Sequence, residues 1–189
     1  MNEWFKGINE EVLKLIRYEV SIPSLDSKPR DDRLDVKVID EELQRLWKGG
    51  ILPAWSEKQV KCLLLLWHDY LEPAHQLAQD ERTPEFNYFH AIIHRREGDF
   101  FNSRFWLRQV DDRHIALLNV AREVKQFLSE KGEIQLLEEV VKDDGWDSLE
   151  FLEEVMKASK LERTSPQVKL LTQIQTIEFA CWLKFLCLP

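Results

Sequence analysis

Apolar residues in this chain recur at helical spacing and not in alternation. Between positions 115 and 127 they do so as Ile115, Leu118, Val120, Val124 and Phe127. The punctuation between such runs is helical too. Ser56 and Gln59 are spaced as a capping box, with Trp55 placed to pack on Val60 as a hydrophobic staple. Asp147 and Glu150 repeat the device, with Trp146 placed against Phe151. Thr83-Pro84 and Ser165-Pro166 each set a capping residue before a proline at the first helical position. Six glycines and seven prolines leave little material for the frequent tight turns of an all-β chain. The pattern predicts an all-α, single-domain compact bundle over residues 1–189, with seven to nine helices and a central helical hairpin. Short isolated strands are compatible with it. A first helix is expected near Asn9 to Arg17 and a second near Val36 to Trp47, separated by a polar loop at about 24–35 and stopped by Gly49-Gly50.

The totals exclude several classes of function. A net charge of −8 lacks the basic footprint of a nucleic-acid binder and disfavours docking on anionic membranes. No apolar run reaches the length of a membrane span. Met1 to Lys6 do not open with a basic stretch followed by an apolar one, so they do not read as a signal peptide. Cys62, Cys181 and Cys187 are odd in number and match no zinc or redox spacing, which fits a reducing cytoplasm.

Two biases coincide in the middle third. Four of the five histidines, His68, His75, His90 and His94, fall between Trp67 and Arg95. No lysine occurs between Lys61 and Lys125, where every basic residue is an arginine. Arginine suits places where a planar, permanently charged fork must meet an anion in a fixed geometry. On a helix starting at Ser56, His68, Glu72, His75 and Gln79 would share a face, provided that the interior Pro73 only bends it. On the next helix, His90 and His94 at i and i+4 have the spacing that lets two imidazoles hold one metal ion. His75 or His68 from the neighbouring helix would add a third nitrogen, and Glu72 or Glu97 a carboxylate oxygen or a general base. A helical histidine pair also arises with no ligand, its nitrogens satisfied by carbonyls or carboxylates. Arg95, Arg96, Arg104 and Arg108 likewise have local partners within reach in Glu97, Asp99, Asp111 and Asp112.

Trp67-His68-Asp69, Glu72-Pro73-Ala74-His75, His90 to Asp99, Asn102 and Trp106, with Gln173 and Glu178 further on, resemble a family of uncharacterised bacterial and fungal proteins. That resemblance implies one domain and draws attention to this segment, and it brings no activity with it. Gly98-Asp99-Phe100 with Ser103 resembles the turn of a tetratricopeptide-type hairpin, which implies that His90 and His94 face a partner helix. No recurrence of the motif about 34 residues away supports an array. The His68-Asp69 doublet is similar to that of helical phosphohydrolases, but no histidine precedes His68. A phosphate-cradling glycine loop, a nucleophile elbow and HExxH are all missing.

Two readings follow. In the first, His68, His75, His90 and His94 hold a divalent metal ion (Zn, Fe, Mn or Ni). Arg95, Arg96, Arg104, Arg108 and Asn102 then bind a small anionic molecule, and Glu72 or Glu97 is the base of a metal-assisted hydrolysis or oxidation. In the second, the polar residues serve the fold of a non-catalytic interaction module. Exposed aromatics such as Trp4, Phe5 or Trp182 would then mark contact with a protein partner or a second copy.

Overall fold

α10 (Pro166–Leu186) is buried over most of its length from Leu171 to Leu186 and forms a central element of the core. A computed structural model describes residues 3–17 and 21–188; the first two residues of the Met1–Lys6 segment lie outside the described residues. Before α10 come α1 (Glu10–Ile16), α2 (Val36–Lys48), α3 (Glu57–Trp67), α4 (Leu71–Ala78), α5 (Pro84–Glu97) and α6 (Phe100–Leu107). They are followed by α7 (Ile115–Lys131), α8 (Ile134–Val140) and α9 (Ser148–Ala158). A two-residue antiparallel hairpin, β1 (Val141–Lys142) and β2 (Gly145–Trp146), sits between α8 and α9. α10 packs on α3, α7 and α9, and one cluster of buried apolar side chains runs from Phe5 to Leu186. No helix among the described residues is long and apolar enough to cross a membrane.

Several helix starts form as the sequence predicts. Asn9 and Asp35 cap α1 and α2 by accepting from Glu11 N and Lys37 N, at 2.9 and 2.8 Å. Asp147 accepts from Glu150 N at 3.0 Å while Trp146 packs on Phe151, with ring centroids 5.2 Å apart. Ser165 accepts from Val168 N at 3.3 Å. Ser56 departs from the expectation. Residues Ala54–Ser56 form a 3-10 turn running into α3, so Ser56 lacks the extended backbone of a capping residue. Its hydroxyl donates to Pro53 O instead (3.1 Å), and Trp55 meets Phe185 edge-on.

The larger correction concerns the expected helix from Ser56 to Gln79. The chain leaves the helix at His68, not at Pro73. Asp69 takes a left-handed conformation, φ 63°, which aspartate tolerates better than most side chains. Its carboxylate is locked by Arg30, which donates its backbone N–H (3.0 Å) and Nε (2.8 Å), and by Arg96 Nη2. Pro73 then falls in the first turn of α4, where its missing N–H costs nothing. This division raises the number of α-helices among the described residues to ten, one more than expected.

α5 and α6 form the central hairpin. Gly98 ends α5 at φ 80°, and its N–H donates to Arg95 O at 3.2 Å. Asp99 caps α6 by accepting from Asn102 N (3.1 Å). The buried Ser103 hydroxyl donates to Ala91 O across the hairpin at 2.8 Å, so a side chain no larger than serine fits there. The aromatics expected to be free for a partner are placed differently. Phe5 and Trp182 are in the core and Trp4 is partly covered, whereas Phe101 (82% exposed) and Phe105 (52%) protrude from α6.

Candidate functional site

Because α4 and α6 both pack on α5, the side chains on α5 that face them are enclosed on two sides. His75 comes from α4, His90 and His94 from successive turns of α5, and Trp106 from α6. One ring nitrogen from each histidine lies within 4.8 Å of the other two. His75 Nε2 and His90 Nε2 are 2.8 Å apart, one donating to the other. The rings of His90 and His94 stack at 4.9 Å, His75 meets both edge-on, and the Trp106 indole lies flat on His90 at 4.1 Å. His90 is 4% exposed, while His75 and His94 are only partly covered, so the cluster is buried at its base and reachable from outside.

Burial is the main force on the protonation of these rings. It pushes His90 down to about 3, helped by the neighbouring His75 and His94 and by the Arg82 cation. Burial also holds His94 below the ordinary imidazole value, against the pull of Glu97. Both rings are therefore neutral at pH 7, with lone pairs available to a ligand. His94 Nδ1 lies 3.4 Å from Glu97 Oε2 without hydrogen-bond alignment, and His90 Nδ1 is buried with no partner. A tetrahedral metal with bonds of about 2.0–2.1 Å needs nitrogens roughly 3.3 Å apart. The separations present here, 2.8 Å for one pair and at most 4.8 Å for the others, bracket that value.

His68 stands apart from the cluster. Its Nε2 lies 2.7 Å from Leu15 O and its Nδ1 accepts from Leu34 N at 3.2 Å, so both nitrogens are occupied by backbone. The turn at Asp69 removes it from the face that His75 occupies. It pins α1 and the start of α2 to the end of α3.

The arginines expected to bind an anion are mostly engaged inside the fold, with partners far away in sequence. Arg95, 2% exposed, donates to Glu178 Oε1 (3.2 Å) and Oε2 (2.6 Å) and to Gln175 Oε1 (3.2 Å). Tyr88 donates its hydroxyl to the same Glu178 and accepts from Trp146 Nε1 at 3.1 Å. Arg96 pairs with Asp69 and donates to Leu66 O (2.7 Å) and Asp26 O (3.1 Å). Arg104 pairs with Glu153 of α9. Asn102 Nδ2 donates to Asp99 at 2.7 Å. Arg108 is exposed and lines a separate groove beside the β hairpin, with Lys142 and Trp146. The nearby acidic residues Glu97, Asp99, Asp111 and Asp112 are not the ion-pair partners of these four arginines among the described residues. Glu72 is exposed and accepts from Gln76 at 3.0 Å, and Glu97 flanks His94 at the mouth of the cluster.

Two residues close to the histidines carry no role in the sequence reading. Trp106 enters there only through a resemblance, and Arg82 only as one of a lysine-free run of arginines. The signal for Trp106 was the hairpin itself: once α6 folds back on α5, an aromatic in its second turn can cover a ring on α5. Compared with protein-family models, curated proteins and solved structures, the chain matches none of them.

Proposed function

We propose that His75, His90 and His94 together bind one divalent transition-metal ion, with a coordination position left for water or a substrate. The observation that carries this reading is the convergence of three ring nitrogens within 4.8 Å at the junction of α4, α5 and α6. Three neutral imidazoles suit zinc, iron or nickel more than magnesium or calcium, and manganese is the weakest-held of the four metals considered. Three protein ligands plus an open position is the arrangement of catalytic rather than structural zinc sites. Such an ion would bring a bound water to a pKa of roughly 7 and polarise a carbonyl or phosphoryl oxygen. Glu97, 3.4 Å from His94 Nδ1, would act as the carboxylate partner of that ring if the pair closed into a hydrogen bond. Glu72, one turn ahead of His75 and exposed, is the candidate base. The reaction class would be metal-assisted hydrolysis or oxidation. Three unpaired cysteines, two of them buried, suit a reducing compartment such as the cytoplasm.

Elemental analysis of tag-free protein tests this directly. Near-stoichiometric zinc, iron, manganese or nickel is expected, either as purified or after incubation with each ion and desalting. His90→Ala combined with His94→Ala should abolish that metal while leaving the far-ultraviolet circular dichroism nearly unchanged. Wild-type protein that retains none of the four ions would end the proposal.

A further inference from the structure

A metal ion held by three neutral imidazoles keeps its full double charge within its first shell, which favours an anion at the remaining position. This consequence rests on the three-histidine reading above, and the surroundings add an independent feature. Arg82 lies in the short segment that joins α4 to α5, between the two helices that carry the histidines. Its Nη1 donates to Gln79 O (2.7 Å) and Glu81 O (2.8 Å), which anchors one edge of the guanidinium. Nε and Nη2 have no hydrogen-bond partner among the described residues, and no carboxylate there pairs with this arginine. Arg95, Arg96 and Arg104, by contrast, have their charges matched by Glu178, Asp69 and Glu153.

The Arg82 Cζ lies 5.2 Å from the centroid of the Trp106 ring, within range of a cation–π contact. The same indole rests on His90 at 4.1 Å. The Trp106 ring thus contacts both an exposed, unmatched cation and the imidazole at the buried end of the cluster. The Arg82 charge also bears on the His90 ring.

We infer that Arg82 and Trp106 form the recognition wall of the three-histidine site, and that its ligand is a small oxyanion held between the metal and the free edge of Arg82. A guanidinium edge presents two parallel N–H donors that match the paired oxygens of a carboxylate or phosphate.

The test uses cobalt(II) as a visible probe in the tag-free full chain. Cobalt is titrated into wild type and into Arg82→Gln, and each loaded protein is then titrated with acetate, with methylphosphonate and with neutral imidazole. A visible ligand-field band should form in both proteins, and each is saturated with cobalt before the second titration. Acetate and methylphosphonate should perturb it about tenfold more weakly in Arg82→Gln, with imidazole unchanged, and Arg82→Lys should recover part of the loss. A band that ignores anions, equal anion affinities in the two proteins, or an equal loss for imidazole would overturn this inference and leave the metal site standing. The absence of any ligand-field band in wild type would overturn both.

Discussion

Glu178 is the best place to measure what the buried ionic layer contributes. It is fully buried on α10 and accepts from both terminal nitrogens of Arg95 and from the Tyr88 hydroxyl. Glu178→Ala would leave the Arg95 cation inside the protein with Gln175 as its remaining side-chain acceptor, and Tyr88 with only the Trp146 donor. Removing one partner of a buried ion pair costs about 3–5 kcal/mol, because the other charge has lost both water and partner. At about 2.1 cal/mol/K per residue, the unfolding entropy of a chain this long is roughly 0.4 kcal/mol/K, so a loss of about 4 kcal/mol lowers Tm by about 10 °C. Urea unfolding followed by circular dichroism gives the free energy, and a thermal scan gives the shift. The paired replacement Arg95→Met with Glu178→Leu should cost far less than the sum of the two single changes, since it removes both charges together. A single-variant loss under about 1 kcal/mol, or a double variant that is simply additive, would refute the claim that this pair is buried and coupled.

Two further outcomes follow from the same geometry. In metal-free protein His90 takes up a proton near 3 when folded and near 6.5 when unfolded, so the unfolded state binds more protons between those values. Stability should therefore fall as pH drops from 6.5 toward 3, and His90→Gln should flatten that slope; an identical slope in the variant would contradict the placement of this ring. Gly98→Ala should cost about 1 kcal/mol in urea unfolding through its left-handed backbone alone, since open space surrounds the added methyl; a neutral result would mean that the turn closing α5 differs from the one described.

What the sequence discloses is what is decided locally. The i, i+4 spacing of His90 and His94 is enough to put both rings on one face, and His75 joins them because α4 precedes α5 through a short connection. Asp147 and Ser165 act on N–H groups three residues ahead, so their caps are visible in the string of letters. The break at Asp69 is not, because its left-handed turn is held by Arg30 and Arg96, 39 and 27 positions away. His68 is misplaced for the same reason: its partners, Leu15 and Leu34, belong to segments folded onto α3 from far upstream. The arginines look like a ligand site or local salt bridges until Arg95, Arg96 and Arg104 meet partners from α10, the Asp69 turn and α9. Nothing near Arg95 in the sequence points to Glu178.

The Arg95–Glu178 pair also constrains the order in which the protein can be made. The two residues are separated by 83 positions, so at synthesis rates of about 5–20 residues per second Arg95 is made roughly 4–17 s before its carboxylate. Through that interval the central hairpin can form its local bonds, but closing the core over α5 would trap a lone guanidinium. Burying α5 before α10 is available would leave Arg95 without Glu178 and Gln175, the side chains that accept from it. A polar pair whose net stabilisation of the finished protein is small would serve instead to delay collapse until the last helix can take its place.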